Sequence, residues 1–192
     1  MNKKSFQFTI EPWSVEHENK EYQTPIFNLL QRKMVLEAAG EYNEGDFYVL
    51  EAPEWVNVIP VTTDQQVVLV EQYRYGIEQP TLEIPGGLVD PGETPGETAK
   101  RELVEETGYR SDSWSSLGKV SANPAMMNNF SHVFLAEGCR YEKKQNTDQH
   151  ERIHVHLLPI DTFLDYVADG TIHHSIVVAA AAKYLLYKGR YS

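Results

Sequence analysis

The sequence has little cysteine, few positive charges and no long hydrophobic run. Cys139 is the only cysteine among 192 residues, which excludes an intrachain disulfide and favours a reducing compartment, so a cytoplasmic protein is expected. The formal net charge of −11 argues against non-specific binding of nucleic acid or of an anionic membrane surface. No stretch approaches the roughly 18 apolar residues of a membrane span, and the polar N-terminus lacks a signal-peptide core. Neither nucleic acid nor membrane is therefore the expected partner.

Strand-like and helix-like segments are mixed along the chain. The β-branched runs at 55–61 and 67–71 flank a polar turn and predict adjacent strands. Residues 160–168 and 175–187 predict helices, the second so apolar that it must be buried against the sheet or against a second subunit. The polar residues 138–150 predict a mobile loop. This mixture predicts an α/β domain in which a sheet lies between helices.

The first 45 residues predict a β-rich N-terminal arm ahead of a main domain at 46–192. The alternating apolar residues at 6–10 are typical of a short strand. Residues 26–35 fit either a strand or a helix, and the preceding Pro25 and the following turn with two glycines favour a strand paired with 47–50.

The strongest local pattern lies at 87–109, GLVDPGETPGETAKRELVEETGY, where a turn-rich loop leads into a helix. Thr94 is the predicted N-cap, Pro95 suits the first helical position, and Glu97 completes a capping box. Gly108 stands where a helix ends. The pattern therefore predicts a helix with defined ends immediately after a glycine-rich loop.

Glu102, Glu105 and Glu106 share one face of this helix because their spacing is i, i+3 and i+4. Like charges so placed destabilise a helix by roughly 0.2–0.5 kcal/mol per pair. One explanation is a solvated acidic face. The other is a hard divalent cation such as Mg²⁺, which prefers carboxylate and carbonyl oxygens and often also binds substrate phosphates. Arg101 can pair with Glu105, four residues on, and hold the cluster in place.

The whole stretch resembles the Nudix box of the Nudix hydrolases. That pattern has a glycine, a glutamate, an arginine–glutamate pair, an aliphatic residue, a glutamate pair and a second glycine at fixed spacings. The one departure is Tyr109, which stands in the final aliphatic position. The matching positions are Gly87, Glu93, Arg101, Glu102, Leu103, Glu105, Glu106 and Gly108.

The resemblance implies a fold and an activity. The implied fold is an α/β/α sandwich with a mixed sheet over about residues 46–190. The N-terminal arm resembles the extension of the ADP-ribose pyrophosphatase branch, which often builds a domain-swapped dimer, so a homodimer is expected. The implied activity is Mg²⁺-dependent hydrolysis of the diphosphate of ADP-ribose or a related nucleoside diphosphate sugar. Alternatives are another nucleotide, such as GDP-mannose or an oxidised nucleotide, or a non-catalytic module that binds ADP-ribose.

By the same resemblance, Glu102 and Glu106 are metal ligands, and Glu105 is a ligand or orients water. The carbonyl group of Gly87 is the implied backbone ligand. The implied ion is Mg²⁺, with Mn²⁺ as a possible substitute. Glu93 is expected to support the loop, through Arg101, rather than to act in catalysis.

Four further residues are implied to bind substrate: Arg74, Glu83, Pro124 and Asn128. The segment around Arg74 resembles one whose arginine contacts the diphosphate or the terminal sugar; a salt bridge to Glu71 or Glu83 is the alternative. Pro124, sixteen residues after Gly108, resembles a mark of the ADP-ribose pyrophosphatase branch. Asn128 is expected to contact sugar hydroxyls.

The general base is open between two residues. The branch often places it as the first glutamate of a pair on the loop before the last strand, and Gln149 stands in that position here. Because Gln149 cannot accept a proton, Glu151 on the same loop is the preferred base. The alternative is Glu105 on the box helix.

Overall fold

The computed structural model describes residues 6–147 and 152–191. The chain divides into two units, each with its own β-sheet. The first unit comprises the described part of Met1–Ala52 together with Pro124–Asn128, and the second comprises the described parts of Pro53–Asn123 and Asn129–Ser192.

The first unit is built on a three-stranded antiparallel sheet. Its strands follow each other as β1 (Ser14–Gln23), β2 (Asn28–Ala38) and β3 (Glu41–Glu51), in that spatial order. The predicted pairing of 26–35 with 47–50 is confirmed, since Leu29 lies opposite Leu50. A tight turn at Ala39–Gly40, both with positive φ, joins the two strands.

The predicted strand at 6–10 is wrong. These residues lie outside the strands, and Phe6, Phe8 and Ile10 are 80–87% exposed. Their alternating pattern does not become a strand because, in the part of the chain that the structure describes, no edge pairs with it.

The second unit is built on a mixed eight-stranded sheet. The order of its central path is β11-β5-β4-β10-β8, with β6 beside β5, β7 beside β4 and β9 beside β10. The pair β4–β10 is parallel and the other pairs are antiparallel. The strands are β4 (Trp55–Thr62), β5 (Gln66–Arg74), β6 (Gln79–Glu83), β7 (Gly86–Leu88), β8 (Tyr109–Arg110), β9 (Ser113–Val120), β10 (Ser131–Tyr141) and β11 (His154–Pro159).

Helices cover both faces of this sheet: α1 (Pro95–Thr107) on one, α2 (Ile160–Ala168) and α3 (Ser175–Tyr191) on the other. Alternation along β4 explains both cores. Val56 and Val58 pack with Leu103 of α1, whereas Ile59 and Val61 pack with α2 and α3. The predicted α/β/α sandwich with a mixed sheet is confirmed.

The predictions for 138–150 and for α3 need adjustment. Residues 138–141 are not loop, because β10 continues to Tyr141 and pairs there with β8. Helix α3 buries Val177 and Ala181 against the sheet, but Leu185 and Leu186 are exposed within the chain. Among the described residues, no helix is both long and apolar enough to cross a membrane.

Candidate active site

The ends of α1 are set by local interactions that the sequence predicted. Glu97 N donates to Thr94 Oγ1 (3.3 Å), and Thr94 N donates to Glu97 Oε2 (2.8 Å), which together form the capping box. At the other end Gly108 adopts φ 74°, and its N–H donates to the carbonyl oxygen of Val104. With its two ends defined, α1 turns Glu102 and Glu106 toward Gly87 and Gly86 of β7.

Arg101 is the centre of the acidic cluster. Its Nη1 donates to Glu102 Oε1 and to Glu105 Oε2, both at 2.9 Å, and its Nε donates to Glu93 Oε1 at 3.1 Å. The predicted pairings of Arg101 with Glu105 and with Glu93 are therefore present. Bonds from Arg101 and from Thr98 lower the pKa of Glu93, so that its carboxylate stays charged. The guanidinium of Arg101 thus offsets the electrostatic repulsion among the three carboxylates that it contacts, those of Glu93, Glu102 and Glu105.

Two adjacent glycines bring the backbone against this cluster. Strand β7 pairs with β4 so closely that a Cβ atom on Gly86 would lie 2.2 Å from the carbonyl oxygen of Val56. The N–H of Gly86 donates to Glu106 Oε2 (2.9 Å). On Gly87 a Cβ atom would lie 2.2 Å from Glu102 Oε1. Gly87 therefore leaves room for the carboxylate of Glu102 beside the main chain, whereas Gly86 allows β7 to pack closely against β4.

The donor set of this cluster fits a hard divalent cation in its chemistry. Its three carboxylates supply oxygen ligands in the C-terminal half of α1. Glu106 is buried, Glu102 is largely buried and Glu105 is partly exposed. Glu102 occupies the space that a Cβ atom of Gly87 would fill, which brings the carboxylate and the backbone of that glycine together. Within residues 6–147 and 152–191, no three His, Cys, Asp or Glu side chains already converge as a metal site. Glu102 and Glu105 converge instead on the cationic Nη1 of Arg101.

Arg74 and Glu83 form a second ionic group at the β5–β6 pair. Arg74 Nε and Nη2 donate to the two oxygens of Glu83, each at 2.7 Å, and Thr81 Oγ1 donates to Glu83 Oε1 at 2.6 Å. Of the two partners predicted for Arg74, Glu83 therefore forms the ion pair. The other, Glu71, lies beside His156, with Glu71 Oε2 2.7 Å from His156 Nε2. Glu83 is only 1% exposed.

This ion pair keeps a buried carboxylate charged. Burial by itself raises the pKa of Glu83, but the hydrogen bonds and the charge of Arg74, with the bond from Thr81, outweigh it and leave that pKa lowered. His174, whose positive charge would also favour the carboxylate, has its own pKa lowered, chiefly by burial. Arg74 is therefore held in one orientation by a fixed anion beneath it.

Two of the remaining predicted residues belong to the first unit, and the candidate base on the segment before β11 lies outside the described residues. Pro124 and Asn128 belong to the first unit, where Asn128 N donates to the carbonyl oxygen of Leu50 and Asn128 Oδ1 accepts from Ala52 N, both at 3.3 Å. Gln149 and Glu151 lie outside the described residues. The substrate contacts of Arg74, Glu83, Pro124 and Asn128, and the choice of base, stay predictions.

Sequence reasoning missed two residues that touch α1. Gln145 Nε2 donates to the carbonyl oxygen of Glu106, and Asn146 N donates to that of Glu105 (2.9 Å). Gln145 stands 39 positions after Glu106. No local pattern in the polar segment around Gln145 signals this contact.

Comparisons with known proteins find relatives over most of the chain. The model of the family described as NUDIX domain matches residues 53–177. A methanol dehydrogenase activator of Bacillus methanolicus is 35% identical over 135 residues, which are 69% of this chain and 72% of that protein. An ADP-ribose pyrophosphatase of Bacillus subtilis (strain 168) is 32% identical over 141 residues, 73% of this chain and 76% of that protein.

A solved structure shares the fold. The crystal structure of an ADP compounds hydrolase superposes with a TM-score of 0.80 at 22% identity, covering 96% of this chain and 98% of that chain. At this identity the likeness shows a common fold.

Proposed function

This chain belongs to the NUDIX family, and from that premise we propose that it is a metal-dependent pyrophosphohydrolase. The proposed substrate is ADP-ribose or a related nucleoside diphosphate sugar. The products are a nucleoside monophosphate and a sugar phosphate. The relative named ADP-ribose pyrophosphatase, which covers most of this chain, supports that substrate class.

One observation carries the proposal: the acidic face of α1 lies against Gly86 and Gly87 of β7 and is organised by Arg101. A solvated acidic face that binds no cation needs no such arrangement, because its carboxylates would point into water. Here Glu106 is buried beneath the main chain of Gly86. Concentrated, oriented carboxylates next to backbone are what a cation-assisted phosphoryl reaction requires.

The proposed metal ligands are Glu102, Glu105, Glu106 and the carbonyl oxygen of Gly87. The proposed ion is Mg²⁺, which Mn²⁺ can replace. When bound there, Mg²⁺ would supply activation of water and stabilisation of the charge that develops on the diphosphate. The contribution of the chain is to concentrate negative charge at one place and to keep Arg101 beside it as a fixed counter-charge.

The reaction itself is a hydrolysis at phosphorus. The oxygen atom of a water molecule forms a bond to one phosphorus atom of the diphosphate, and the bond from that phosphorus to the bridging oxygen breaks. The proton of the water passes to a general base, for which Glu151 is our first candidate and Glu105 the second. The bridging oxygen leaves with the other phosphate. No oxidant or second substrate is needed.

Arg74 is the proposed recognition residue for the diphosphate or the terminal sugar. A guanidinium presents several N–H donors in a rigid plane, which suits phosphate oxygens. The bidentate contact with Glu83 holds that plane, while Arg74 itself stays 42% exposed and so accessible to a ligand. We include Glu83 in the substrate site for this reason, and Pro124 and Asn128 as proposed contacts to the sugar.

We further propose that the protein is a homodimer in the cytoplasm. The first unit exposes many aromatic side chains for a sheet with so small a core, including Trp13, Phe47 and Tyr48. Helix α3 adds exposed Leu185 and Leu186. Apolar groups exposed in this number favour burial against a second copy. The single, buried Cys139 is consistent with a reducing compartment.

The direct test is turnover. Purified protein with Mg²⁺ is incubated with ADP-ribose in ¹⁸O-labelled water, and the products are separated and weighed by mass spectrometry. We expect AMP and ribose 5-phosphate, with one ¹⁸O atom in one product, which also shows which phosphorus atom is attacked. A parallel panel with other nucleoside diphosphate sugars, GDP-mannose and an oxidised nucleotide ranks the substrates by kcat/KM.

Two outcomes would contradict the proposal. Binding of ADP-ribose without any turnover would make the protein a binding module. Faster hydrolysis of an oxidised nucleotide than of every nucleotide sugar would keep the reaction but replace the substrate. The Glu106→Gln variant serves as the inactive control in both assays.

A further inference from the structure

The segment that follows β10 caps the C-terminal end of α1. The last carbonyl groups of a helix have no donor within the helix and need partners from elsewhere. The carbonyl oxygen of Glu105 accepts from Asn146 N (2.9 Å), and that of Gly108 accepts from Glu142 N (2.8 Å). The approach is so close that a Cβ atom on Gly108 would lie 2.0 Å from the carbonyl oxygen of Lys143.

Gln145 contributes its side chain to this cap. Its Nε2 donates to the carbonyl oxygen of Glu106 (2.5 Å) and to that of Ile153 (3.4 Å). Both partners are acceptors, so the nitrogen and not the oxygen of the amide faces them. Ile153 immediately precedes β11, whereas Glu106 belongs to the last turn of α1. A single amide group therefore joins the acidic helix to the strand at the edge of the main sheet.

We propose that Gln145 is a positioning residue for the acidic cluster of α1. It acts through the main chain: with Asn146 it fixes the peptide groups of Glu105 and Glu106, and these set the directions in which the two carboxylates leave the helix. This inference rests on the proposed function, because it assigns those carboxylates to the metal. Misplacement of an active-site group by 1 Å can cost about 100-fold in rate, so the last turn of such a helix has reason to be tied down.

The opposing explanation is a cap that only stabilises the fold. The two explanations differ in what a substitution changes. A purely structural cap affects the free energy of unfolding and leaves the folded enzyme unchanged. A positioning residue changes the metal affinity and kcat of protein that is still folded.

Two substitutions at position 145 separate them. Gln145→Glu keeps the size of the side chain but places an oxygen against two carbonyl oxygens, which repel it. Gln145→Lys keeps a donor and adds a positive charge at a helix C-terminus, where such a charge is favourable. The matched control is Lys183→Met, which removes another donor to a main-chain carbonyl, that of Leu117 (3.0 Å), between α3 and β9.

The readouts are taken on the full chain, first without substrate. Mn²⁺ affinity is measured by electron paramagnetic resonance of the free ion, and amide hydrogen exchange follows Asn146 and Gly108. We expect Gln145→Glu to weaken Mn²⁺ binding by about 10–100-fold and to speed exchange at both amides, as for other groups that orient metal ligands. With substrate, kcat should fall in the same range while KM changes little. Gln145→Lys should recover most of the loss, and Lys183→Met should bind Mn²⁺ like the wild type.

The outcomes that overturn the inference are distinct from those that overturn the proposed function. If Gln145→Glu lowers only the melting temperature and binds Mn²⁺ normally, the cap is structural and the inference is wrong. If the wild type binds Mn²⁺ but hydrolyses no nucleotide sugar, the proposed substrate is wrong, and the Mn²⁺ titration still tests Gln145. If the wild type binds no Mn²⁺, the metal assignment is wrong, and this inference fails with it.

Discussion

The carboxylate of Glu102 lies directly against the α-carbon of Gly87. A Cβ atom on Gly87 would come 2.2 Å from Glu102 Oε1 and 2.5 Å from Cδ, both far inside contact distance. The adjacent Gly86 has a different neighbour, the main-chain oxygen of Val56 at 2.2 Å. The two adjacent positions thus require glycine for different reasons. At Gly87 a side chain would collide with the flexible carboxylate of Glu102, and at Gly86 it would collide with the rigid main chain of β4.

Gly87→Ala should therefore impair activity more than stability. The new methyl group displaces the carboxylate of Glu102, which can rotate away without moving the backbone. We expect kcat to fall about 10–100-fold, the range for disturbed support of a metal ligand, with little change in melting temperature.

Gly86→Ala should lower stability more than activity, because its methyl group meets the main chain of Val56, which cannot rotate away. The free energy of unfolding should fall by roughly 1–3 kcal/mol. Gly96→Ala is the control within α1: no atom lies near its Cβ position, and alanine there should be neutral or stabilise by up to about 1 kcal/mol. Equal melting temperatures for Gly86→Ala and Gly87→Ala would contradict this interpretation.

Glu106→Gln tests the proposed metal ligand. Glutamine can still accept from the N–H of Gly86 through its oxygen, so the fold should survive. Loss of an orienting partner alone costs about 10–100-fold, so loss of a ligand should lower kcat by more than about 100-fold. EDTA should abolish wild-type activity, and Mg²⁺ or Mn²⁺ should restore it. Near-full activity of the variant would remove Glu106 from the site.

Glu151→Gln and Glu105→Gln decide between the two candidate bases. A general base contributes typically about 10²–10⁴-fold, so the variant that lacks it should lose kcat in that range with KM little changed. The acidic limb of its pH–rate profile should shift or vanish. We expect this for Glu151→Gln. Wild-type kcat in that variant, beside a loss in Glu105→Gln, would place the base on α1.

A second substitution tests whether position 149 can take the place of Glu151 as the base. Gln149→Glu restores the residue that the ADP-ribose pyrophosphatase branch often carries there. If it rescues Glu151→Gln, either position on that segment can serve as the base. Failure to rescue would show that a glutamate at position 149 cannot supply the base.

Glu83 predicts how stability depends on pH. Its pKa is lower in the folded protein than in the unfolded chain, because Arg74 and Thr81 outweigh the effect of burial. Such a group stabilises the fold above its unfolded pKa, near about 4.3 for glutamate, and the contribution is lost as pH falls through the folded pKa. Glu83→Gln cannot titrate, so its difference from the wild type in unfolding free energy should shrink as pH falls from 6 to 3.

The measurement is urea unfolding at a series of pH values. At neutral pH we expect Glu83→Gln to be less stable by roughly 1–3 kcal/mol, because the donors of Arg74 lose a charged partner. Glu37→Gln, at an exposed position of β2, is the control and should be as stable as the wild type at neutral pH. A difference that stays constant down to pH 3 would show that the folded and unfolded pKa values of Glu83 are equal.

Light scattering tests the homodimer. We expect a mass of twice 21.9 kDa at micromolar concentration, because the exposed aromatic groups of the first unit require burial. Leu186→Glu on α3 shows which surface is involved: a wild-type mass would exclude that helix from the interface. A monomer mass for the wild type would disprove the dimer.

The sequence alone was sufficient wherever short-range interactions decide the structure. The start and end of α1 depend on Thr94, Glu97 and Gly108, which lie within one segment, and the spacing of the three glutamates defines a shared face. The same segment identified the family. Strong periodic runs, such as 160–168, also predicted their elements correctly, because a buried face repeats along the element itself.

Only the tertiary structure decided what depends on distant partners. It selected Glu83 over Glu71 for Arg74, left 6–10 without a paired strand, and extended β10 through residues predicted as loop. It also brought Gln145 to the carbonyl group of Glu106. A strand pairs with whichever sheet edge is available once the chain has folded. In the same way, a remote segment caps a helix where the helix leaves carbonyl groups without donors. That is a property of the assembled sheet and helices, and no window of sequence contains it.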